Sequence, residues 1–600
     1  MKGIAIGLSN NSKEILKRLK KTEFVKDIYI AGSSKEDGKE NELIQVQKPR
    51  EILLKKWPKI DLIIFIGSIA ASIRIINPFL TSKDQDPGVI VIDNKCSKIV
   101  PLIGLHQSNT QNISCQIANL LGGEIIETNN SNDQSLLNLD AFGNQWGWKR
   151  SGKINDWSKL VIKQAKNEEI FCKQLSGNSL WKTSESAEII NQIDKKETEK
   201  PDSTFHVSIF ENHGTTWHPP VLWIGIGCER NTSKELIANS LNNLLESGNL
   251  SQQSIAGFAT IDIKKDEKGI LELSEEKNLP IKFFSKKDLS TIIVPNPSNV
   301  VQKEIGTPSV AEASCLLAAG EESKLLEEKR IFKNQSGAVT IAVAESKNQY
   351  NPTHGEIHII GSGPGDISFL TNNARKALSR CTVWIGYKMY LDLIKPLKRN
   401  DQVLIESKLT EEKERCSKAI KLAEEGIKVA LISSGESGFY GMAGLLLELL
   451  QKIKKEYRPY FEVHPGISSV QLAAAISGAP LMNDFCSVSL SDKLTPWSLI
   501  EKRIEGALVG DFVIALFNPQ SIERNWQLKS VIDICLQSRH GDTPVLIARQ
   551  VGRENQTKKF FTLNTIPFKE IDMLSIIIIG NSQTTLVDEI FLTPRGYLQN

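Results

Sequence analysis

The chain has 600 residues, 40% of them hydrophobic and 24% charged, with a formal net charge of +3. Such a length is too great for one hydrophobic core and predicts two or more domains. The near balance of charge argues against nucleic-acid or anionic-membrane partners, and nine scattered cysteines without a CxxC pair suit a reducing, cytoplasmic setting.

The first residues, MKGIAIGLSNNSKEILKRLK, predict a strand and a helix rather than a signal peptide. The longest apolar runs, such as Leu62 to Ile66 and Ile576 to Ile579, are too short to cross a bilayer. Over 1–124, strand-like GIAIGL, DLIIFIG and GVIVID alternate with helical patterns, which is the α/β signature. Residues 125–205 are rich in Asn, Ser, Lys and Trp, lack apolar periodicity and end in the charged KKETEKPDSTFH, so an irregular segment is expected there. A second α/β stretch, 206–346, contains VLWIGIGCERNTS and closes at AVTIAVAE. The polar, turn-rich 347–354 reads as a linker to a last domain, 355–600.

In that last domain the alternation is regular. A strand at 357–361 precedes a helix near 371–379 and a strand near 382–386. A helix at 411–425 stops at Gly426 and KVALIS follows as a strand. Helices are expected near 440–455 and inside PGISSVQLAAAISG, and DFVIALF, PVLIA and SIIIIG are the later strands.

Three glycine-marked turns follow strands: IIGSGPGD (359–366), SSGESGFYGMAG (433–444) and HPGISS (464–469). The first is a poor dinucleotide cradle. The third glycine of G-x-G-x-x-G is missing, Pro364 stiffens the turn, and Asp366 puts negative charge where a pyrophosphate would lie. No GK[ST] follows, so it is not a Walker loop. In an open α/β sheet ligands bind beyond the carboxyl ends of strands, so the three turns are expected to face one cleft. An unliganded tight turn and a nicotinamide-dependent oxidoreductase site are the competing readings.

IIGSGPGD with LTNNARKAL, then SSGESGFYGMA, then HPGISSVQLAAAISGAPL resembles the tetrapyrrole methyltransferases. The stretches DFCSVSLSDKLTPWSLIEKRI, DFVIALFNPQSIERNWQL and IDMLSIIIIGNSQTT with TPRGY are similar to the precorrin-3B C-17-methyltransferase branch of cobalamin synthesis. The resemblance covers essentially all of 355–600. It implies a two-lobed fold, S-adenosyl-L-methionine as cofactor, a precorrin or cobalt-precorrin macrocycle as substrate, and a homodimer. Carried onto this chain, the cofactor residues are Gly363, Pro364, Gly365, Asp366, Ser434, Gly435, Glu436, Tyr440, Met442, Ser468, Ser469 and Leu516. Where the family usually carries Gly-Asp, this chain has Gly435-Glu436.

Methyl transfer from a sulfonium needs positioning more than a nucleophile–base pair. Ring contraction adds a proton transfer, for which Asp484, Ser489, Asp492 and Lys493 are candidates, Asp492 foremost. Arg524, Arg549, Arg553 and Arg595 are candidates for pairing with a polyacid ring.

Farther upstream, GIGCERNTSKELI, ATIDIKKDEKGILEL and TPSVAEASCLLAAG resemble the C-terminal domain of the cobalt-precorrin-5A hydrolases, and IRIINPFLTSKDQDPGVIVIDNK resembles their N-terminal domain. The implied architecture is α/β and multidomain, with N-terminal hydrolase-like domains fused to a methyltransferase. Lactone opening needs a base and oxyanion stabilisation. His106 is the candidate base, although Ser108 and Asn109 stand where that family has glycines. Lys264, Glu267 and Glu312 match the family's other motifs. A non-catalytic substrate-binding role for this half is the alternative. No protein-bound metal is expected: His354 and His358 are four apart, but along a strand that spans about 13 Å.

Overall fold

The computed structural model describes residues 2–32, 45–81, 86–104, 110–126, 136–193, 201–211, 214–335, 337–521 and 524–597. The chain divides into two compact units, Met1–Asp133 and Gln134–Asn600.

The first unit is built on a seven-stranded sheet. Its order is Gln45–Gln47, Val25–Ala31, Gly3–Gly7, Leu62–Ile66, Gly88–Ile92, Lys98–Ile103 and Glu124–Ile125. The inner strands Gly3–Gly7, Leu62–Ile66 and Gly88–Ile92 are apolar throughout and wholly buried. A parallel sheet covered on both faces produces that continuous pattern in place of alternation.

Within the second unit, the stretch expected to be irregular forms a sheet instead. Its order is Ile190–Gln192, Ile170–Gln174, Thr204–Val207, Thr216–His218 and Lys149–Ser151. Periodicity was the wrong signal here. The core is filled by a few large rings, Phe142, Trp146, Trp148, Trp157, Trp181, Phe205 and Trp217, most of them carried on turns and short elements. Phe142 touches four of them at ring-centroid separations of 5.1 to 5.9 Å. Aromatic payload of this size replaces an amphipathic pattern.

A second sheet orders Ile281–Phe284, Ile255–Ile261, Leu222–Cys228, Gly337–Glu345 and Lys324–Asn334. The helix Ala311–Ala319 lies so close to the Leu222–Cys228 strand that a methyl on Gly225 would stand 1.8 Å from the Ala311 carbonyl oxygen. Glycine at 225 is therefore a packing requirement.

The last region has two α/β lobes. The first is all parallel, in the order Val403–Ser407, Val383–Tyr387, Lys428–Ser433, Glu356–Gly361 and Tyr460–His464. Helices Asn372–Arg380, Glu412–Glu424 and Ala443–Gln451 cover it. Thr371 starts the first of these by accepting from the Ala374 amide at 3.2 Å. The second lobe orders Phe485–Ser489, Val513–Phe517, Ser575–Ile579, Pro544–Arg549 and Thr557–Thr562, parallel in the first pair and antiparallel after it.

The residues expected to form a linker do not run free. Gln349 is buried and donates to the Trp146 carbonyl at 2.6 Å and the Glu425 carbonyl at 2.7 Å. It accepts from the Trp148 indole at 2.8 Å. Together with Thr382 donating to the Gln145 carbonyl and Asn178 donating to Glu425, it joins the Trp-rich sheet to the first lobe. Their apolar residues form one continuous core. Among the described residues, no helix is long and apolar enough to cross a membrane.

Candidate active site

Three neighbouring parallel strands, Lys428–Ser433, Glu356–Gly361 and Tyr460–His464, all end at the same edge of the first lobe. Each is followed at once by one of the glycine turns. Convergence is thus a consequence of strand order.

The turns touch through backbone alone. Gly363 donates to the Gly435 carbonyl at 3.1 Å and Gly435 returns the bond at 2.8 Å, forming an isolated antiparallel bridge. Both have left-handed backbone, φ +77° and +64°, which glycine adopts without cost. Gly466 completes the set: a methyl there would meet the Gly435 oxygen at 2.0 Å and the Gly361 oxygen at 2.6 Å. Beside Gly435, by contrast, a methyl would have no neighbour nearer than 3.7 Å, the closest being Ser468 and Ile467 backbone. A methyl at 435 would therefore make ordinary van der Waals contact with the 467–469 turn, which brings the second and third turns side by side.

The first turn also reaches the second lobe. The Asp366 amide donates to the Gly552 carbonyl at 2.6 Å, and Arg553 donates to the Pro364 carbonyl at 3.3 Å. A methyl on Gly365 would lie 2.2 Å from the Gly552 oxygen. The Asp366 carboxylate accepts from the Ser368 amide at 2.7 Å, and the Ser368 hydroxyl first and this amide second hold its pKa below the usual carboxylate value. Glu436 accepts from the Gly438 amide at 2.7 Å, so its carboxylate braces its own turn.

Tyr440 links the lobes from the other side. Its hydroxyl donates to the Ser487 carbonyl at 3.0 Å, and its ring packs against Phe439 and Phe517. The backbone there has φ +58°. A bulky residue in that region stores strain of order 1–3 kcal/mol and marks a site that its surroundings hold in place. About half of the residue stays exposed.

Other expected contacts are placed differently. Met442 is buried, with its sulfur 3.6 Å from the Arg415 guanidinium, and only its backbone joins the turn, donating to Ser433 Oγ at 3.3 Å. Leu516 is fully buried in the second-lobe core, in a strand paired on both sides, so its side chain does not line the cleft. Ser434 adjoins the bridge at Gly435. Ser468 and Ser469 open the helix Ser469–Ser477, and the Ser468 amide donates to Gln471 at 2.8 Å.

Of the proton-transfer candidates, Asp492 accepts from the buried Gln527 amide at 2.9 Å and Ser489 accepts from Asn518 at 3.0 Å. Asp484 and Lys493 are exposed. The arginines separate clearly. Arg549 is neutralised by Asp572 through two bonds of 2.9 and 2.8 Å, and Arg595 is exposed. Arg524 is 8% exposed, yet its Nε and Nη2 find no acceptor among the described residues. A buried guanidinium left in that state is costly unless a ligand supplies an anion.

Of the upstream candidates, Lys264, Glu267 and Glu312 fall within the described residues. His106 lies outside the described residues. Lys264 and Glu267 are both buried and paired at 3.0 Å, and Glu267 also accepts from the Asn231 amide at 2.8 Å. Burial beside this pair pushes the Cys228 thiol up to about 11, so it stays protonated. Glu312 is fully buried at the start of the helix Ala311–Ala319 and accepts from Asn296 and from the Lys329 amide at 3.1 Å. It makes no hydrogen bond with Lys264 among the described residues.

Sequence reading missed two features. Gly466 lies in the expected third turn, but that its missing Cβ lets the turn close on the Gly361 and Gly435 oxygens is visible only in the fold. His358 meets not His354, which bonds the Gly426 carbonyl at 2.6 Å, but His464 on the adjacent strand, at 2.9 Å. Spacing along the chain carries no trace of that pairing.

Comparison with known proteins gives the same division. Residues 356–567 match the tetrapyrrole (corrin/porphyrin) methylases, 222–344 the cobalamin synthesis G C-terminus, and 51–132 the cobalamin synthesis G N-terminal family. Over 241 residues the chain is 44% identical to the probable cobalt-factor III C(17)-methyltransferase of Salmonella typhimurium, covering 40% of this chain and 99% of that protein. The cobalt-factor III methyltransferase of Priestia megaterium is 44% identical over 245 residues, and the chain spans 45% of its length. The cobalt-precorrin-5A hydrolase of Priestia megaterium is 27% identical over 365 residues, 56% of this chain and 93% of that protein. The methylase match spans the first glycine turn as well as the second and third. The chain belongs to the tetrapyrrole methylase family, its C-terminal region homologous to the cobalt-factor III and precorrin-3B C(17)-methyltransferases and its N-terminal region homologous to cobalt-precorrin-5A hydrolase.

Proposed function

We propose that residues 355–600 methylate C-17 of a precorrin-3B or cobalt-precorrin-3 type macrocycle, with ring contraction, using S-adenosylmethionine. The observation that carries this reading is the bridge between Gly363 and Gly435, with Gly466 closing against both turns. When bound, the donor supplies an electrophilic methyl group, so the protein's task is alignment. The joined backbone turns at Gly363, Gly435 and Gly466 and the half-exposed Tyr440 suit a compact ligand with an aromatic part, and Glu436 offers negative charge for an ammonium group. Arg524, with free donors, is suited to a substrate carboxylate. Asp492, steadied by Gln527, is the candidate for moving the proton in ring contraction.

The N-terminal region is proposed to act on a lactone of the same class of macrocycle, with His106, Lys264 and Glu312 as its candidate groups. A specific observation favours the second reading, a binding module without catalysis. Lys264 is tied up by Glu267, and Glu312 is buried and already accepts from the Asn296 side chain and the Lys329 amide. Mass spectrometry of cobalt-precorrin-3 incubated with S-adenosylmethionine and the full chain tests the first half: the product gains one methyl group. An unmodified macrocycle would overturn it. Adding a lactone-bearing cobalt-precorrin-5A tests the second, since lactone opening by the wild-type chain that His106→Asn abolishes supports catalysis.

A further inference from the structure

At the far edge of the first lobe, strand Tyr460–His464 pairs in parallel with Glu356–Gly361, placing His358 opposite Glu462 and Ile360 opposite His464. Side chains two apart share a face, so Glu356, His358, Glu462 and His464 gather on one side of two strands. His358 Nδ1 lies 2.9 Å from His464 Nε2, and Glu462 Oε2 stands 3.9 Å from the first and 3.8 Å from the second. A point equidistant from three atoms so spaced is ~2.1 Å from each, within the range of zinc–imidazole and zinc–carboxylate bonds.

We propose that His358, Glu462 and His464 bind one first-row divalent cation of borderline softness, of which zinc and cobalt are the type. Two imidazoles and a carboxylate are the donor set such ions select. The outer shell is in place as well. His358 Nε2 bonds Glu356 Oε2 at 2.8 Å, and that carboxylate is held by Lys428 at 2.5 Å and faces Arg380 at 3.6 Å. A carboxylate behind a ligating histidine fixes its tautomer and orientation, leaving Nδ1 free for the metal. In the metal-free pair His464 Nε2–H donates to His358 Nδ1. On binding, the His464 proton moves to its own Nδ1, the two rings part to about 3.4 Å as a tetrahedral site requires, and no net proton is lost. The buried histidines and the half-exposed Glu462 leave the remaining coordination position open to solvent. Because Pro465 and Gly466 follow His464 directly, a bound ion would pin the strand that delivers the third turn.

The test uses the full chain, stripped with a chelator and titrated with zinc chloride by calorimetry and with cobalt chloride by visible spectroscopy. The expected result is one ion per chain and the intense ligand-field bands of four- or five-coordinate Co2+. Glu462→Gln and His464→Asn should each weaken binding at least tenfold. Glu462→Gln, at a half-exposed position, should melt as the parent does. Absence of these bands, or binding that Glu462→Gln leaves unchanged, would overturn the proposal and reduce the cluster to a hydrogen-bonded histidine pair. Neither outcome bears on the methyltransferase reading, which uses none of these side chains.

Discussion

Gly363 and Gly435, on turns that follow adjacent strands, exchange both of their backbone hydrogen bonds, and Gly466 leaves no room for a side chain against either strand end. The turns are therefore joined by main chain, with steric need for a missing Cβ at Gly466 and for left-handed backbone at Gly363 and Gly435.

Gly466→Ala and Gly435→Ala should separate on this account. The first drives a methyl into two carbonyl oxygens and must push the turns apart. The second has space and bears only the left-handed backbone penalty, about 1–2 kcal/mol. Calorimetric titration with S-adenosylhomocysteine is expected to show at least tenfold weaker binding for Gly466→Ala and a smaller loss for Gly435→Ala. Equal effects would contradict the steric account.

Arg524 carries a buried charge whose Nε and Nη2 have no partner among the described residues. Replacing it with methionine should leave thermal stability unchanged or raised, since an uncompensated charge is removed. Loss of a charge-assisted bond is worth about 1.5–3 kcal/mol, so KM for the macrocycle should rise at least tenfold while affinity for the cofactor holds. Arg524→Lys should not restore it, because an ammonium cannot make the bidentate contact. A variant that loses cofactor and macrocycle binding together would show the residue to be structural.

Lys282 is pressed between Trp223 and Tyr350, its ammonium 4.1 and 4.4 Å from their ring centres. The rings favour the cation, but burial prevails and pushes its pKa down to about 8, with Glu424 pulling the other way. Between about pH 8 and the ordinary lysine value, the unfolded chain holds a proton that the folded chain has shed, so this residue adds stability as pH rises through that window. Denaturant midpoints near pH 7 and pH 9.5 should differ more in this direction for the parent than for Lys282→Met. Identical pH dependence in both chains would refute the assignment.

Gln349 serves four partners at the junction of the Trp-rich sheet and the first lobe. Gln349→Ala leaves two buried carbonyls and an indole N–H unpaired, at about 1–3 kcal/mol each. A drop in unfolding free energy of at least about 2 kcal/mol is expected, together with earlier proteolytic cleavage between 346 and 355. Glu would not substitute, since it lacks the amide donors.

The parallel strands and the glycine turns were legible because they are local: VALIS, IHIIG and their glycines say strand and turn without reference to anything distant. The convergence of the turns was inferable from topology alone. What the sequence concealed depended on partners far along the chain. Nothing near Arg549 announces Asp572, nothing near Arg524 announces its solitude, and Leu516 looks the same whether it faces a cleft or a core. The sheet over Lys149–Ser151 to Thr216–His218 escaped notice because seven scattered rings make a core without any period.

The continuous core that runs from Trp146 and Trp217 into Ile357, Ile385 and Leu446 has a meaning for the gene as well as the protein. A split of the reading frame at the stretch around Gln349 would expose fresh oily surface on both halves at once. The stretches on either side of that point share one interior, so each relies on the other to keep water out.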